Sequence, residues 1–211
     1  MHPAYRVGKL ISNLLANLYF RRRIVNPEKL KLPGGCLVVA NHASFLDPPM
    51  IGSAFPGDIH YMARRTLFRE GIVEWVYRRL NAVPVNQDNP ELSTIKRILQ
   101  LVKDGEKVLI FPEGERTWDG ELKARGAPGI GLLIAKSKAP ILPVRLFGAF
   151  EALPRGHSFP KPAKLTLVAG DPIDFTDFIA ESGLAGKDLY QALSDRAMEA
   201  IAALEIPDPS R

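Results

Sequence analysis

Short, largely apolar runs recur along this chain, with helical segments between them. Cys36-Leu37-Val38-Val39-Ala40, Lys107-Val108-Leu109-Ile110 and Ile141-Leu142-Pro143-Val144 are the clearest. A continuous apolar run of four or five residues suits a strand buried within the domain, and is too short for a helix. Weaker strand signals cover Ile59 to Met62, Ala82 to Val85 and Lys164 to Ala169. Pro84 cannot donate to a ladder, so its strand belongs at an edge or a strand start. Helical periodicity fills the intervals, over Leu67 to Leu80, Pro90 to Lys103, Gly126 to Lys138, Thr176 to Glu181 and Lys187 to Leu204. Strands alternating with helices predict an α/β fold with a mixed, largely parallel sheet flanked by helices. The chain has 211 residues, 46% of them hydrophobic, and no internal repeat or long linker, so one domain is expected over residues 25–206.

Residues 1–24 read as a separate amphipathic segment. Val7, Leu10, Ile11, Leu14, Leu15 and Leu18 form one apolar stripe at helical spacing, with Lys9, Ser12, Asn13 and Asn17 on the other faces. Tyr19 and Phe20 close it, and Arg21-Arg22-Arg23 follows. Aromatics at headgroup depth and arginines on anionic lipid would suit a helix lying in a membrane interface. The competing expectation is an amphipathic helix packed on its own domain. Polar interruptions and the arginine triplet argue against a signal peptide. No apolar stretch reaches the ~18 residues of a membrane span.

The net charge of +5 favours anionic partners such as phosphate esters or anionic lipid surfaces. It also permits nucleic acid, but no aromatic-interleaved basic strand, zinc knuckle or recognition helix is present, so no nucleic-acid partner is expected. Cys36 is the only cysteine, which excludes an internal disulfide, and its place in an apolar run suits a small buried hydrophobe.

Two polar blocks follow two of the strands. The first is Asn41-His42-Ala43-Ser44-Phe45-Leu46-Asp47; the second is Phe111-Pro112-Glu113-Gly114-Glu115-Arg116. Strand ends are where open α/β sheets bind ligands. His42 is a natural general base near neutral pH, and Asp47 is close enough to turn back and fix its tautomer. Asp47 before Pro48-Pro49 also reads as a helix N-cap. There is no Gly-x-Ser-x-Gly elbow, so the hydroxyl to be activated can belong to the substrate. In the second block, Gly114 permits close backbone approach and Arg116 offers a phosphate-matching fork. No metal site is expected: His42, Asp47, His60 and Glu113 lack any recognised ligand spacing.

The ordered set of blocks resembles the glycerolipid acyltransferase family, whose bacterial members include the PlsC-like 1-acylglycerol-3-phosphate acyltransferases. Asn41-His42 through Asp47 matches its Asn-His-x-x-x-x-Asp block, and Phe111 to Arg116 its Phe-Pro-Glu-Gly-x-Arg block. Lys123-Ala124-Arg125-Gly126 and Ala139-Pro140-Ile141-Leu142-Pro143-Val144, with Pro143, resemble later family segments. One block departs: Asn81 and Gln87 stand where the family usually has glycine and arginine, and that arginine is thought to contact the acceptor's phosphate. Arg64, Arg65, Lys123 and Arg125 are candidates to compensate.

The resemblance implies transfer of a fatty acyl group from acyl-CoA or acyl-carrier protein to the sn-2 hydroxyl of lysophosphatidate. It implies His42 as base, Asp47 as its orienting acid, and Glu113, Gly114 and Arg116 at the acceptor's phosphate, with Asn41 supporting the motif. No bound cofactor is implied. The expected location is the cytoplasmic face of the cell membrane, peripheral or monotopic. Gln87 leaves open a different lysophospholipid or lyso-aminolipid acceptor. A thioesterase, or a basic nucleic-acid module, would be the other classes.

Overall fold

The structure is a computed structural model that describes residues 2–68, 71–86 and 92–208. Seven strands form one sheet: β1 (Arg23–Val25), β2 (Cys36–Ala40), β3 (Ile59–Arg64), β4 (Ala82–Val85), β5 (Lys107–Ile110), β6 (Ile141–Phe147) and β7 (Thr166–Ala169). Their spatial order is β1-β7-β6-β2-β5-β3-β4. The five strands from β6 to β4 run parallel; β7 pairs antiparallel with β6, and β1 runs parallel to β7. The α/β expectation, with a mixed and largely parallel sheet, holds.

The helices are α1 (Pro3–Leu14), α2 (Asp47–Gly52), α3 (Ile72–Arg79), α4 (Leu92–Lys103), α5 (Pro128–Ser137), α6 (Ala149–Ala152), α7 (Thr176–Glu181) and α8 (Gly186–Ala202). α3 starts at Ile72 rather than Leu67, because Arg65–Leu67 winds into a separate 3-10 turn. The expected start of α4 at Pro90, and Gln87, lie outside the described residues.

The sheet is buried on both faces, which explains its unbroken apolar runs. Alternate residues of β2 divide between two cores. Val38 and Ala40 join Phe20, Met50 and Phe55 on the face covered by α1 and α2. Leu37 and Val39 join Ile98, Ile134 and Leu193 on the face covered by α4, α5 and α8. β4 takes the predicted edge position. Pro143 sits inside β6 without disrupting it. Its carbonyl, which points to the same side as its missing N–H, accepts from Gly170, just past the end of β7. Glycine lets α5 press onto α8: a β-carbon on Gly131 would lie 1.7 Å from the carbonyl oxygen of Tyr190.

α1 packs with its polar side inward. Lys9 Nζ donates to the carbonyls of Pro56 and Gly57 at 3.1 and 2.8 Å, and Asn13 Oδ1 accepts from Arg22. α1 runs on into a wider helical turn over Leu15–Tyr19; along the two, Tyr5 and Ala16 are buried, as is Phe20 just after, while Val7, Leu10, Ile11, Leu14, Leu15 and Leu18 face outward, Leu18 with 77% of its surface exposed. The helix does pack on its own domain, but through its polar side, so that the apolar stripe is left facing outward. The arginine triplet also differs from expectation. Arg22 turns inward onto Met50 O, Ser53 Oγ and Asn13 Oδ1 at 2.6 to 2.8 Å. Arg23 opens β1, a three-residue strand with too little pattern to be seen in sequence.

Candidate active site

Because β2 and β5 are adjacent and parallel, with Val39 beside Ile110, their two polar blocks emerge at the same sheet edge. His42 and Glu113 thus become neighbours across 71 residues of chain.

In the first block the chain turns tightly, and Asp47 lies fully buried beneath it. Its carboxylate does not cap α2. Asp47 Oδ2 instead accepts the N–H groups of Ala43 and Ser44 at 2.7 and 2.8 Å and meets His42 Nδ1 at 2.9 Å. Those two backbone donors hold Oδ2 as an acceptor, so Nδ1 carries the proton and Nε2 keeps its lone pair. The imidazole lies against Phe111, with ring centroids 3.9 Å apart and planes 14° apart. Asn41 is turned to the sheet instead. Its amide bonds the N–H and C=O of Leu146, continuing the sheet beyond β2 like one more residue of ladder.

In the second block Gly114 turns the chain with φ of +76°, a conformation that favours glycine. Glu113 is buried behind His42 and does not line the large cavity described next. Its Oε1 accepts the backbone N–H of His42 at 2.6 Å, and its Oε2 that of Lys123 at 3.4 Å. Thr117 N–H bonds the carbonyl of His42 at 2.9 Å, so the second block and the residue after it grip the His42 main chain on both sides. Burial pushes the Glu113 carboxyl up to about 7, against the opposing pull of the His42 and Lys123 N–H groups.

His42 opens onto a cavity of about 1030 Å³. Its wall is largely apolar, from Tyr61, Leu80, Ile98, Ile130 and Leu133 among others, and the inner face of α1 contributes Tyr5, Gly8 and Ser12. Arginines gather at the His42 end: Arg64, Arg116 and Arg155 all line it. The Arg116 guanidinium lies 3.5 Å over the Phe45 ring. Burial first, and then the fields of Arg155 and Arg64, hold its pKa below the ordinary arginine value, with Asp47 opposing.

Of the other basic candidates, Lys123 and Arg125 do not line this cavity. Lys123 Nζ bonds the Glu113 carbonyl and Glu115 at 3.3 Å, and Arg125 pairs with Asp195 on α8 at 3.4 Å. Pro143 is a residue of β6, in register with Val39. His60, at the far end of β3 from the site, lies 3.8 Å from Glu106. No three metal-ligating side chains converge among the described residues. Arg155 was not anticipated; it follows Arg116 by 39 residues and belongs to none of the recognised blocks.

The site thus combines a buried acid, an oriented imidazole open to an apolar cavity, and flanking guanidinium groups. The acyltransferase family model matches residues 21–146, and the chain belongs to that family. It is 31% identical over 184 residues to the 1-acyl-sn-glycerol-3-phosphate acyltransferase of Bacillus subtilis, a match covering 87% of each chain. It is 31% identical over 153 residues to a chloroplastic enzyme of that name from Brassica napus, covering 71% of this chain and 44% of the plant protein. The fold matches the crystal structure of PlsC from Thermotoga maritima with a TM-score of 0.66 and 23% identity, over 97% of this chain and 80% of the other.

Proposed function

We propose that the enzyme transfers a fatty acyl group from acyl-CoA or acyl-carrier protein to the sn-2 hydroxyl of lysophosphatidate, giving phosphatidate. The observation that carries this reading is His42, bonded to the buried Asp47, opening directly onto the apolar cavity that Arg116 also lines. The names of the Bacillus and Brassica relatives support the choice of acceptor.

In this mechanism His42 Nε2 removes the proton of the acceptor hydroxyl as its oxygen attacks the thioester carbonyl. Asp47 stabilises the imidazolium that forms, as the acid of a serine triad does. The tetrahedral intermediate collapses, the C–S bond breaks, and the departing thiolate takes the proton from His42. No acyl-enzyme is needed, because the hydroxyl nucleophile belongs to the acceptor. Arg116, laid on Phe45, makes the charged contact to the acceptor's phosphate.

The acceptor is a bilayer component, and α1 is the proposed dock on the cytoplasmic face of the membrane. Six exposed apolar side chains along α1 and the turn Leu15–Tyr19 that continues it support this, together with the net charge of +5. No helix among the described residues is long and apolar enough to cross a membrane.

Gln87 favours a second reading, in which the acceptor is another lysophospholipid or a lyso-aminolipid. Product analysis with purified protein separates them. Lysophosphatidate and a panel of other lysolipids are each offered with acyl-CoA and with acyl-carrier protein thioester. Phosphatidate as the main product is expected. Turnover of the other lysolipids with none of lysophosphatidate would reverse the choice, and thioester hydrolysis indifferent to any acceptor would point to a thioesterase.

A further inference from the structure

Gln87 stands where the family usually has an arginine, and the candidates Lys123 and Arg125 are engaged outside the cavity. Arg155 stands within it. We infer that Arg155 is a specificity-determining residue that joins Arg64 and Arg116 in the acceptor's phosphate site and biases it toward phosphomonoester over phosphodiester acceptors. The inference rests on the lysophospholipid reading above.

Three features hold Arg155 ready for an anion. Its guanidinium lies 3.7 Å over the ring of Trp118, much as Arg116 lies over Phe45, so each cation rests on an aromatic face. Its Nη1 donates to the carbonyl of Arg116 at 2.9 Å, which ties the two arginines together through the main chain. The same Nη1 donates to Glu115 Oε2 at 3.2 Å. Both bonds use one nitrogen, and the Nε–Nη2 fork makes no bond among the described residues.

Glu115 is a weak competitor for this fork. It is partly exposed, and its other oxygen is shared with Lys123 at 3.3 Å. The mutual repulsion of Arg64, Arg116 and Arg155 is felt at Arg116 and is relieved by an anion placed among them. A phosphomonoester carries a charge of about −1.5 to −2 at neutral pH, and a phosphodiester only one. The added charge is what a third guanidinium rewards.

The test is steady-state transfer by the full chain to lysophosphatidate and to lysophosphatidylglycerol in identical mixed micelles with one thioester donor. Arg155→Gln should raise KM for lysophosphatidate about 10-fold or more, the effect of losing one charge-assisted hydrogen bond, with kcat nearly unchanged. The ratio of kcat/KM for lysophosphatidate to that for lysophosphatidylglycerol should fall by a similar factor. Arg155→Lys keeps the charge but not the fork, so it should recover part of that ratio, and it carries the test should the Gln variant melt early. Equal losses on both acceptors, leaving the ratio unmoved, would mean that Arg155 only shapes the loop and would overturn the inference alone. Wild-type protein that acylates lysophosphatidylglycerol but not lysophosphatidate would overturn the acceptor reading, and this inference with it.

Discussion

Glu113 holds His42 by its backbone, not its ring: Oε1 accepts the His42 N–H at 2.6 Å while the imidazole points away into the cavity. The acid of the second block therefore sets where the base of the first one stands. This places Glu113 behind the reacting centre, where a carboxylate would neither repel an incoming phosphate at close range nor compete for Arg116.

That position makes Glu113 a source of pH dependence. Its carboxyl is raised from an ordinary 4.5 to about 7, so the folded protein keeps this proton to higher pH than the unfolded chain does. The resulting stability is fully present below about 4.5 and is lost as pH rises through about 7. Glu113→Gln, which cannot ionise, should flatten the slope. Urea midpoints of both proteins between pH 5 and pH 8 check this; parallel curves would contradict it.

Asp47→Asn should lower kcat by about a thousandfold with little change in KM, because an amide can bond His42 in the wrong tautomer. His42→Ala should remove nearly all turnover and leave the fold intact. Circular dichroism and single-turnover transfer on the same preparations separate lost chemistry from lost structure. A well-folded His42→Ala protein with near-normal transfer would end the proposed mechanism.

Replacing Leu10, Leu14 and Leu18 together with glutamine tests α1 as a dock. All three are exposed, and glutamine keeps helix propensity. Each leucine buried in lipid contributes roughly 1.5–3 kcal/mol, so affinity for anionic liposomes should fall at least a hundredfold. The melting temperature should hardly move, since exposed substitutions cost within about 0.5 kcal/mol. Cosedimentation with vesicles measures the first and thermal unfolding the second. Unchanged sedimentation would remove the membrane role from this face.

Gly131→Ala should be strongly destabilising, by about 3 kcal/mol, because the new methyl meets the Tyr190 carbonyl oxygen at 1.7 Å and must separate α5 from α8. Gly129 in the same helix has open space, so Gly129→Ala should be tolerated. Paired denaturation curves of the two variants make the comparison.

What could be read from sequence follows the range of the interactions involved. His42 and Asp47 are five residues apart, so their pairing is a local matter that spacing discloses. The grip of Glu113 on His42 spans 71 residues and depends on β2 lying beside β5, which no local pattern states. Asp47 looked like a helix cap because a proline-led helix does follow it; the nearer donors of Ala43 and Ser44 took its carboxylate instead. Periodicity located the stripe on α1 but says nothing of what a face meets. The inward side was settled by Arg22 and by backbone carbonyls near Pro56, which satisfy Asn13 and Lys9. Arg155 carried no sequence signal, since its relevance comes from the loop after α6 folding back onto Arg116.

The inverted packing of α1 has a kinetic consequence. Lys9, Asn13 and Arg22 fix the helix to the body of the enzyme, and Tyr5, Gly8 and Ser12 on its inner side form part of the cavity wall. A bilayer that takes up the outer side would therefore fix the orientation of that cavity relative to the lipid plane. On the proposed membrane reading, the search for acceptor would then become diffusion in two dimensions, and turnover would be governed by the mole fraction of acceptor in the surface, not by its bulk concentration.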